Sequence, residues 1–366
     1  MIEDAIRDLP TAFSDHLSDS GIVFDTSTQI DLLASALGSQ FLLLAGPSGT
    51  GKSTAAHMLS SFFAPDERRV IIDARPGWIG QEDLLGQYSS FAESYLGTND
   101  LDELIQVANS SVASSPIVTI EEANLSPLES YLGPVITRSS SIAWSEVSFD
   151  LHRTQLGSPP KSLLLDKWPR FISTINVDSS AHAPAPKVAG RSCVVLLEPP
   201  TIEEAKLSVG AISFSSQNIR TAAFFDVLGD PRLAWASAVV NGEADGMLAS
   251  LESWLTLLES TAGRGSNIVS PRSLQRSVMF IAWHYALSKA AGLGGMQIEP
   301  SLELSSENAV LHYLLPSLTS EQFARCLLPL LESASAGGLL AARLQRLLGA
   351  GEGAFGVPPD FWASLS

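Results

Sequence analysis

Five short apolar runs punctuate the N-terminal part of the chain: Phe41 to Ala45, Arg69 to Asp73, Pro116 to Ile120, Arg170 to Asn176 and Cys193 to Leu197. They are continuous rather than alternating, and longer stretches of helical period separate them. Strands of this kind are buried on both faces, so the pattern predicts an α/β unit with a parallel sheet sandwiched by helices. Ahead of it, residues 1–38 read as an amphipathic helical lead-in, with Ile22, Phe24, Ile30, Leu32, Leu33 and Leu37 as apolar positions. Beyond Pro199-Pro200 the texture becomes helical, as in Met247, Leu251, Trp254, Leu255 and Leu258 on one face. Glycine-rich breaks at Gly263-Arg264-Gly265 and Gly292-Leu293-Gly294-Gly295 separate the helices. The expected organisation is a lead-in over 1–38, an α/β domain over 39–200 and an all-helical domain over 201–366.

The first run leads directly into Gly46-Pro47-Ser48-Gly49-Thr50-Gly51-Lys52-Ser53, a complete G-x-x-x-x-G-K-[ST] loop. Behind it, Ala55, Met58, Leu59, Phe62 and Phe63 recur at helical spacing. Strand, glycine-rich loop and helix are the order that a phosphate-binding loop requires. Glycines let the backbone N–H groups turn toward phosphate oxygens, and the helix N-terminus adds a favourable dipole. Gly46, Pro47, Ser48, Gly49, Thr50, Gly51, Lys52, Ser53 and Thr54 are therefore the expected nucleotide-binding set, with Lys52 as the point charge. Ser53 would offer its hydroxyl to Mg2+, which takes hard oxygen ligands.

Such a loop needs carboxylates at the end of a neighbouring strand, and the third run ends in Glu121-Glu122. The usual order is Asp then Glu, the first acid holding the magnesium shell and the second polarising the attacking water. Glu121, one methylene longer than Asp, is the metal-side candidate, and Glu122 is the candidate base. Two solvated acids at a strand end are the alternative. Asn176 closes the fourth run, where an amide between loop and acids can hold the lytic water or terminal phosphate, unless it is only a turn asparagine. Arg191 precedes the fifth run and is the candidate arginine finger, with an exposed structural arginine as the competing reading. Ser270 and Pro271 read as a helix cap and first turn, placing Arg272 where a second sensor would stand; Arg276 is its competitor.

Composition narrows the setting. Asp and Glu outnumber Lys and Arg by 39 to 22, a formal charge of −17 that repels nucleic-acid backbones, so direct DNA binding by this chain alone is not expected. Cys193 and Cys326 lie far apart and outside any metal spacing, as expected of buried thiols in a reducing compartment. No apolar run reaches membrane-spanning length, and the acidic start Met1-Ile2-Glu3-Asp4 is unlike a signal peptide, so the expected address is the cytoplasm.

Taken in order, these pieces resemble the AAA+ ATPases, and specifically the McrB-like branch of restriction motors. The branch-like features are Gly77-Trp78 with Asp83-Leu84-Leu85-Gly86, Glu121-Glu122-Ala123-Asn124-Leu125 with Glu129-Ser130-Tyr131, Trp168-Pro169-Arg170-Phe171 leading into Thr174-Ile175-Asn176-Val177-Asp178, and Pro186-Lys187-Val188-Ala189-Gly190-Arg191. The resemblance implies a P-loop AAA+ domain with a helical lid, hydrolysing ATP or GTP with Mg2+ in a ring, usually hexameric, completed at each site by Arg191 of the adjacent subunit. It also implies a hairpin between about Leu84 and Gly97, and an McrC-like or nuclease subunit as partner. Only a short segment precedes Gly46, so target recognition is expected to reside in other chains. The sequence departs from the pattern at Glu121, at Gly190 where many relatives carry Asp, and at Asp178, whose spacing from Asn176 is one residue short. Trp78-Ile79-Gly80 matches the loops that grip a threaded polymer in such rings, with a packing tryptophan as the alternative. Two other readings stay open: a MoxR-like protein-remodelling ATPase, and a nucleotide-dependent assembly switch with weak hydrolysis.

Overall fold

The structure, a computed structural model, describes residues 2–139, 141, 145–151, 162–177, 182–198, 229–262, 269–351 and 361–362. Asp178, the Gly263 to Gly265 break and the start of the expected helical domain lie outside the described residues.

A central sheet of five parallel strands is flanked by helices and followed by a helical C-terminal region. In chain order the strands are β1 (Phe41–Gly46), β2 (Arg69–Asp73), the hairpin strands β3 (Gly86–Ser89) and β4 (Ser94–Gly97), then β5 (Ile117–Glu121), the hairpin strands β6 (Val147–Asp150) and β7 (Ser162–Leu165), β8 (Arg170–Asn176) and β9 (Cys193–Leu196). All five apolar runs of the sequence are the five strands of the central sheet. Its spatial order is β2-β5-β8-β1-β9. The two antiparallel hairpins, β3-β4 and β6-β7, stand apart from it. The first falls between Leu84 and Gly97, where the resemblance places an inserted hairpin. The second was not among the expected elements, although Val147-Ser148-Phe149-Asp150 alternates apolar and polar positions.

The helical lead-in is made of two helices. Ile2–Asp19 and Thr26–Gly38 are separated by a turn in which Gly21 takes φ +70°, a conformation that favours glycine. Asp25 caps the second helix by accepting from the Thr28 N–H. Arg170, at the start of β8, ties this helix to the sheet. Its guanidinium is buried and donates to the Ala36 carbonyl at the helix C-terminus, and also to those of Trp168 and Gly229. Burial pulls its pKa down to about 9.

From Leu233 onward the described secondary structure is all helical. Ser270 caps the helix Pro271–Leu293 by accepting from the Ser273 N–H, as the sequence predicts. Met247, Leu251, Trp254 and Leu258 are buried along one face of Ala244–Thr261. Both cysteines are free and buried; burial pushes the Cys193 thiol up to about 12. Among the described residues no helix is long and apolar enough to cross a membrane.

Where the lead-in, the helical region and β9 meet, the core is polar. Asp31 Oδ1 accepts from Asn308 Nδ2 at 3.0 Å and lies 3.4 Å from His284 Nε2 and 3.5 Å from His312 Nε2. His312 is carried on a π turn, Val310–Leu314, and its Nδ1 faces the Val194 carbonyl at 2.9 Å. His284 Nδ1 lies 2.8 Å from Ser305 Oγ. Burial alone would raise Asp31, yet His312, His284 and Asn308 outweigh it and hold the carboxyl below its ordinary range. Burial pushes His284, and more peripherally His16, below 6.5.

A pH dependence of stability follows. The unfolded chain takes up protons at the histidines near pH 6.5 and the folded chain resists them, so stability is lost as pH falls below about 6.5. A further loss follows below about pH 4, where the unfolded chain also protonates Asp31 first. The slope of the first limb is at most about 1.4 kcal/mol per pH unit for each histidine. Thermal melting between pH 8 and 4 measures it, and His284→Gln should flatten the limb between pH 6.5 and 5.

Candidate functional site

Because the five strands are parallel, their C-terminal ends share one edge, and the chemistry gathers there. Gly46 ends β1 and leads into the loop; Glu121 ends β5; Asn176 ends β8, which runs between them. Gly46 pairs with Asn176 across the strands. This is the edge where open α/β sheets take ligands.

The loop backbone depends on its glycines. Gly49 and Gly51 both have φ +84°. At Gly46 a Cβ would sit 2.5 Å from the Leu197 carbonyl oxygen, a close approach only glycine permits. Lys52 is buried, and its ammonium donates to the Pro47 carbonyl at 2.7 Å, which holds the charge within the turn of the loop. Thr50 Oγ1 donates to the same carbonyl at 3.0 Å. Ser53 and Thr54 form the first turn of the helix Lys52–Phe63. Ser48 and Gly49 form the turn of the loop, with Ser48 exposed. Phe24, from the turn between the lead-in helices, brings its ring within 4.0 Å of the position a Gly51 Cβ would take. The lead-in therefore reaches the rim of the loop.

Ser53 Oγ donates to Glu121 Oε2 at 2.5 Å, joining residues 68 apart in sequence. Thr174 Oγ1 donates to the same oxygen at 2.9 Å and accepts from the Glu122 N–H at 2.9 Å. His57, one turn beyond Ser53, places Nε2 at 3.1 Å from Glu121 Oε1. Burial would raise Glu121, but His57, Ser53 and Thr174 overcome it and keep the carboxylate ionised at lower pH than usual. Glu122 is exposed and its backbone is left-handed, φ 49° and ψ 39°. A non-glycine residue in that region stores strain, a feature that collects at functional sites.

Thr174, Asn124 and His57 stand at this edge in positions to which the sequence assigned no role. Asn124 is buried; its amide donates to the carbonyls of Asn176 and His182 at 2.7 and 3.0 Å and accepts from the Asn176 N–H at 3.0 Å. It clamps the end of β8 to the acidic turn, and so fixes Asn176 relative to Glu122. A threonine inside a fully buried strand, and an asparagine right after paired acids, were the available signals.

No family model matches this chain, and no curated protein matches it. Ser53 Oγ and the Glu121 carboxylate are hard oxygens on one side of the loop, and Glu121 Oε1 is a buried oxygen approached by the His57 imidazole at 3.1 Å. That set fits Mg2+, which takes oxygen ligands and retains waters. Ser53 and Glu121 would hold the ion, which would neutralise charge between two phosphates.

The structure does not bring every expected residue to this edge. Arg191 sits two residues before β9, and Cys193 pairs with Leu42 near the start of β1. From there to Gly46 is four strand residues, roughly 13 Å, so Arg191 lies at the opposite end of the sheet from its own loop. Arg272 lies there too. Ser273 Oγ and Arg276 Nη1 donate to the Gly190 carbonyl at 2.9 and 2.7 Å, which packs the start of Pro271–Leu293 against the Arg191 turn. Burial draws Arg276 down to about 10, with the nearby positive charges of Arg191 and Arg272 adding to the effect. Arg272 also lines a cavity of about 1490 Å³ together with Arg138 and Arg232, with no loop residue among its lining. Trp78 is buried and edge-on to Tyr131 at 4.9 Å, so its ring is not available to grip a polymer, and its backbone N–H donates to Ser126 Oγ. Its neighbour Ile79 is 81 % exposed.

Proposed function

We propose that this chain is a nucleoside-triphosphate hydrolase of the AAA+ type, binding ATP or GTP with Mg2+ and working as a ring of identical subunits. The observation that carries the reading is the Ser53 to Glu121 hydrogen bond, made at the mouth of a glycine-built loop that encloses the Lys52 ammonium. A phosphate-loop hydroxyl and a strand-end carboxylate brought to one spot are the two oxygen ligands that a triphosphate-bound magnesium needs from protein.

In this reading the loop N–H groups and Lys52 bind and orient the phosphates, and Asn176, fixed by Asn124, stands between loop and acids to place the attacking water. Glu122 accepts a proton from that water. Arg191, remote from its own loop, serves the loop of a neighbouring subunit. A work-performing ring of this kind, resembling restriction motors, would act with an McrC-like or nuclease chain. The second reading, a nucleotide-dependent assembly switch with weak turnover, is favoured by one observation: the first acid is Glu121, whose longer side chain is engaged by three side chains at once.

Phosphate release from ATP and from GTP, measured beside particle mass with a non-hydrolysable triphosphate, tests both. Turnover together with triphosphate-dependent assembly is the expected result. Assembly without turnover would favour the switch, and neither would sink the proposal. Lys52→Ala is expected to weaken triphosphate binding about 10–100-fold, the loss of one or two charge-assisted hydrogen bonds.

A further inference from the structure

We propose that His57 is a positioning residue for the metal-side carboxylate, and that it compensates for glutamate at a position where aspartate is usual. The inference rests on the nucleotide-binding reading above and deepens it. Ser53 and His57 are four residues apart on Lys52–Phe63, so both project from one helix face toward the end of β5. They take different oxygens of Glu121: Ser53 meets Oε2 at 2.5 Å, and His57 Nε2 stands 3.1 Å from Oε1. Thr174 adds a second contact to Oε2 from the sheet side.

The geometry says why a third contact matters. A glutamate carries one more rotatable bond than an aspartate, and its carboxylate swings on a stem about 1.5 Å longer. Ser53 and Thr174 both restrain the carboxylate through Oε2 alone; His57 is placed to restrain it through the other oxygen, Oε1, so that its two oxygens are held from different sides. The Glu121 side chain is 13 % exposed and the imidazole 44 %, so His57 covers the outer side of the carboxylate while staying open to solvent. Outer-sphere partners of this type orient a ligand without touching the metal, and their removal commonly costs 10–100-fold in metal affinity. An aspartate at 121 would end short of the imidazole and need no such partner. The histidine and the glutamate therefore act as a pair.

The test reads Mg2+ affinity rather than turnover. Binding of a fluorescent non-hydrolysable triphosphate is titrated against Mg2+ for the wild type, His57→Ala, His57→Gln, Glu121→Asp and Glu121→Asp/His57→Ala. His57→Ala is expected to raise the half-saturating Mg2+ about 10-fold. His57→Gln, which keeps a donor, should restore most of it. In the Glu121→Asp background the alanine change should alter it less than about twofold, because the partner is already out of reach. Mg2+ dependence unchanged by His57→Ala, or changed equally in both backgrounds, would overturn the inference. So would a much larger loss with Mn2+ than with Mg2+, the mark of direct imidazole ligation. If the wild type binds no triphosphate at any Mg2+ concentration, the nucleotide reading itself falls.

Discussion

Glu122→Gln is expected to lower the rate of phosphate release about a thousandfold while triphosphate affinity stays within about twofold of the wild type. The amide has the size and reach of the carboxylate but cannot accept a proton from water. What positions residue 122 is backbone: the N–H bond to Thr174 Oγ1 and the left-handed conformation that starts the turn Ala123–Leu125. Neither depends on the side chain's charge, and the residue is exposed, so the fold is not put at risk. Steady-state phosphate release with a parallel binding titration separates the two effects. Unchanged turnover would remove Glu122 from the base role and point the chemistry elsewhere.

Much of this site was legible because each element carried a local signature. The strands announced themselves as continuous apolar runs, and the loop by its glycines and lysine. The acids stand at a strand end that pattern alone could locate. What was not legible is pairing across the sheet. The fourth run was expected between loop and acids, but nothing in the sequence gives the register of β8 against β1 and β5 that sets Thr174 beside both acids, and a lone threonine in a buried strand reads as packing. Asn124 escaped for a related reason: its partners, Asn176 and His182, are 52 and 58 residues away. The tryptophan at 78 shows the limit from the other side. Its sequence context fits a gripping loop, yet edge-on packing with Tyr131 buries the ring and leaves Ile79 exposed.

Arg272 makes the same point about the helical region. Its place at a helix start was readable from Ser270 and Pro271, but which end of the sheet that helix start meets was not. The long-range bonds from Ser273 and Arg276 to Gly190 decide it, and they set Arg272 beside Arg191 rather than over the loop of the same chain. The polar core around Asp31 is a further tertiary creation, drawing Asp31 from the lead-in, His284 and His312 from the helical region, and the Val194 carbonyl from the sheet. A histidine at helical spacing carries no sign of the aspartate 253 or 281 residues before it.

Arg191→Ala is expected to lower turnover by a factor of about 10³–10⁵, the range seen when an arginine that stabilises the transferring phosphoryl group is removed. The sheet explains why the effect should be intermolecular. Arg191 lies at the N-terminal end of β9, roughly 13 Å of strand from the edge that carries Gly46, too far for its side chain to reach its own loop. A head-to-tail contact in a closed ring brings one edge of a subunit against the opposite edge of the next. Two inactive variants then make a decisive pair. A Glu122→Gln subunit keeps Arg191, and an Arg191→Ala subunit keeps its base. In an equal random mixture about one interface in four joins an intact base to an intact arginine, so about a quarter of wild-type turnover should return if sites act independently. Each variant alone should stay near background. Mixing that restores nothing, or an Arg191→Ala chain that keeps full turnover, would exclude the shared site.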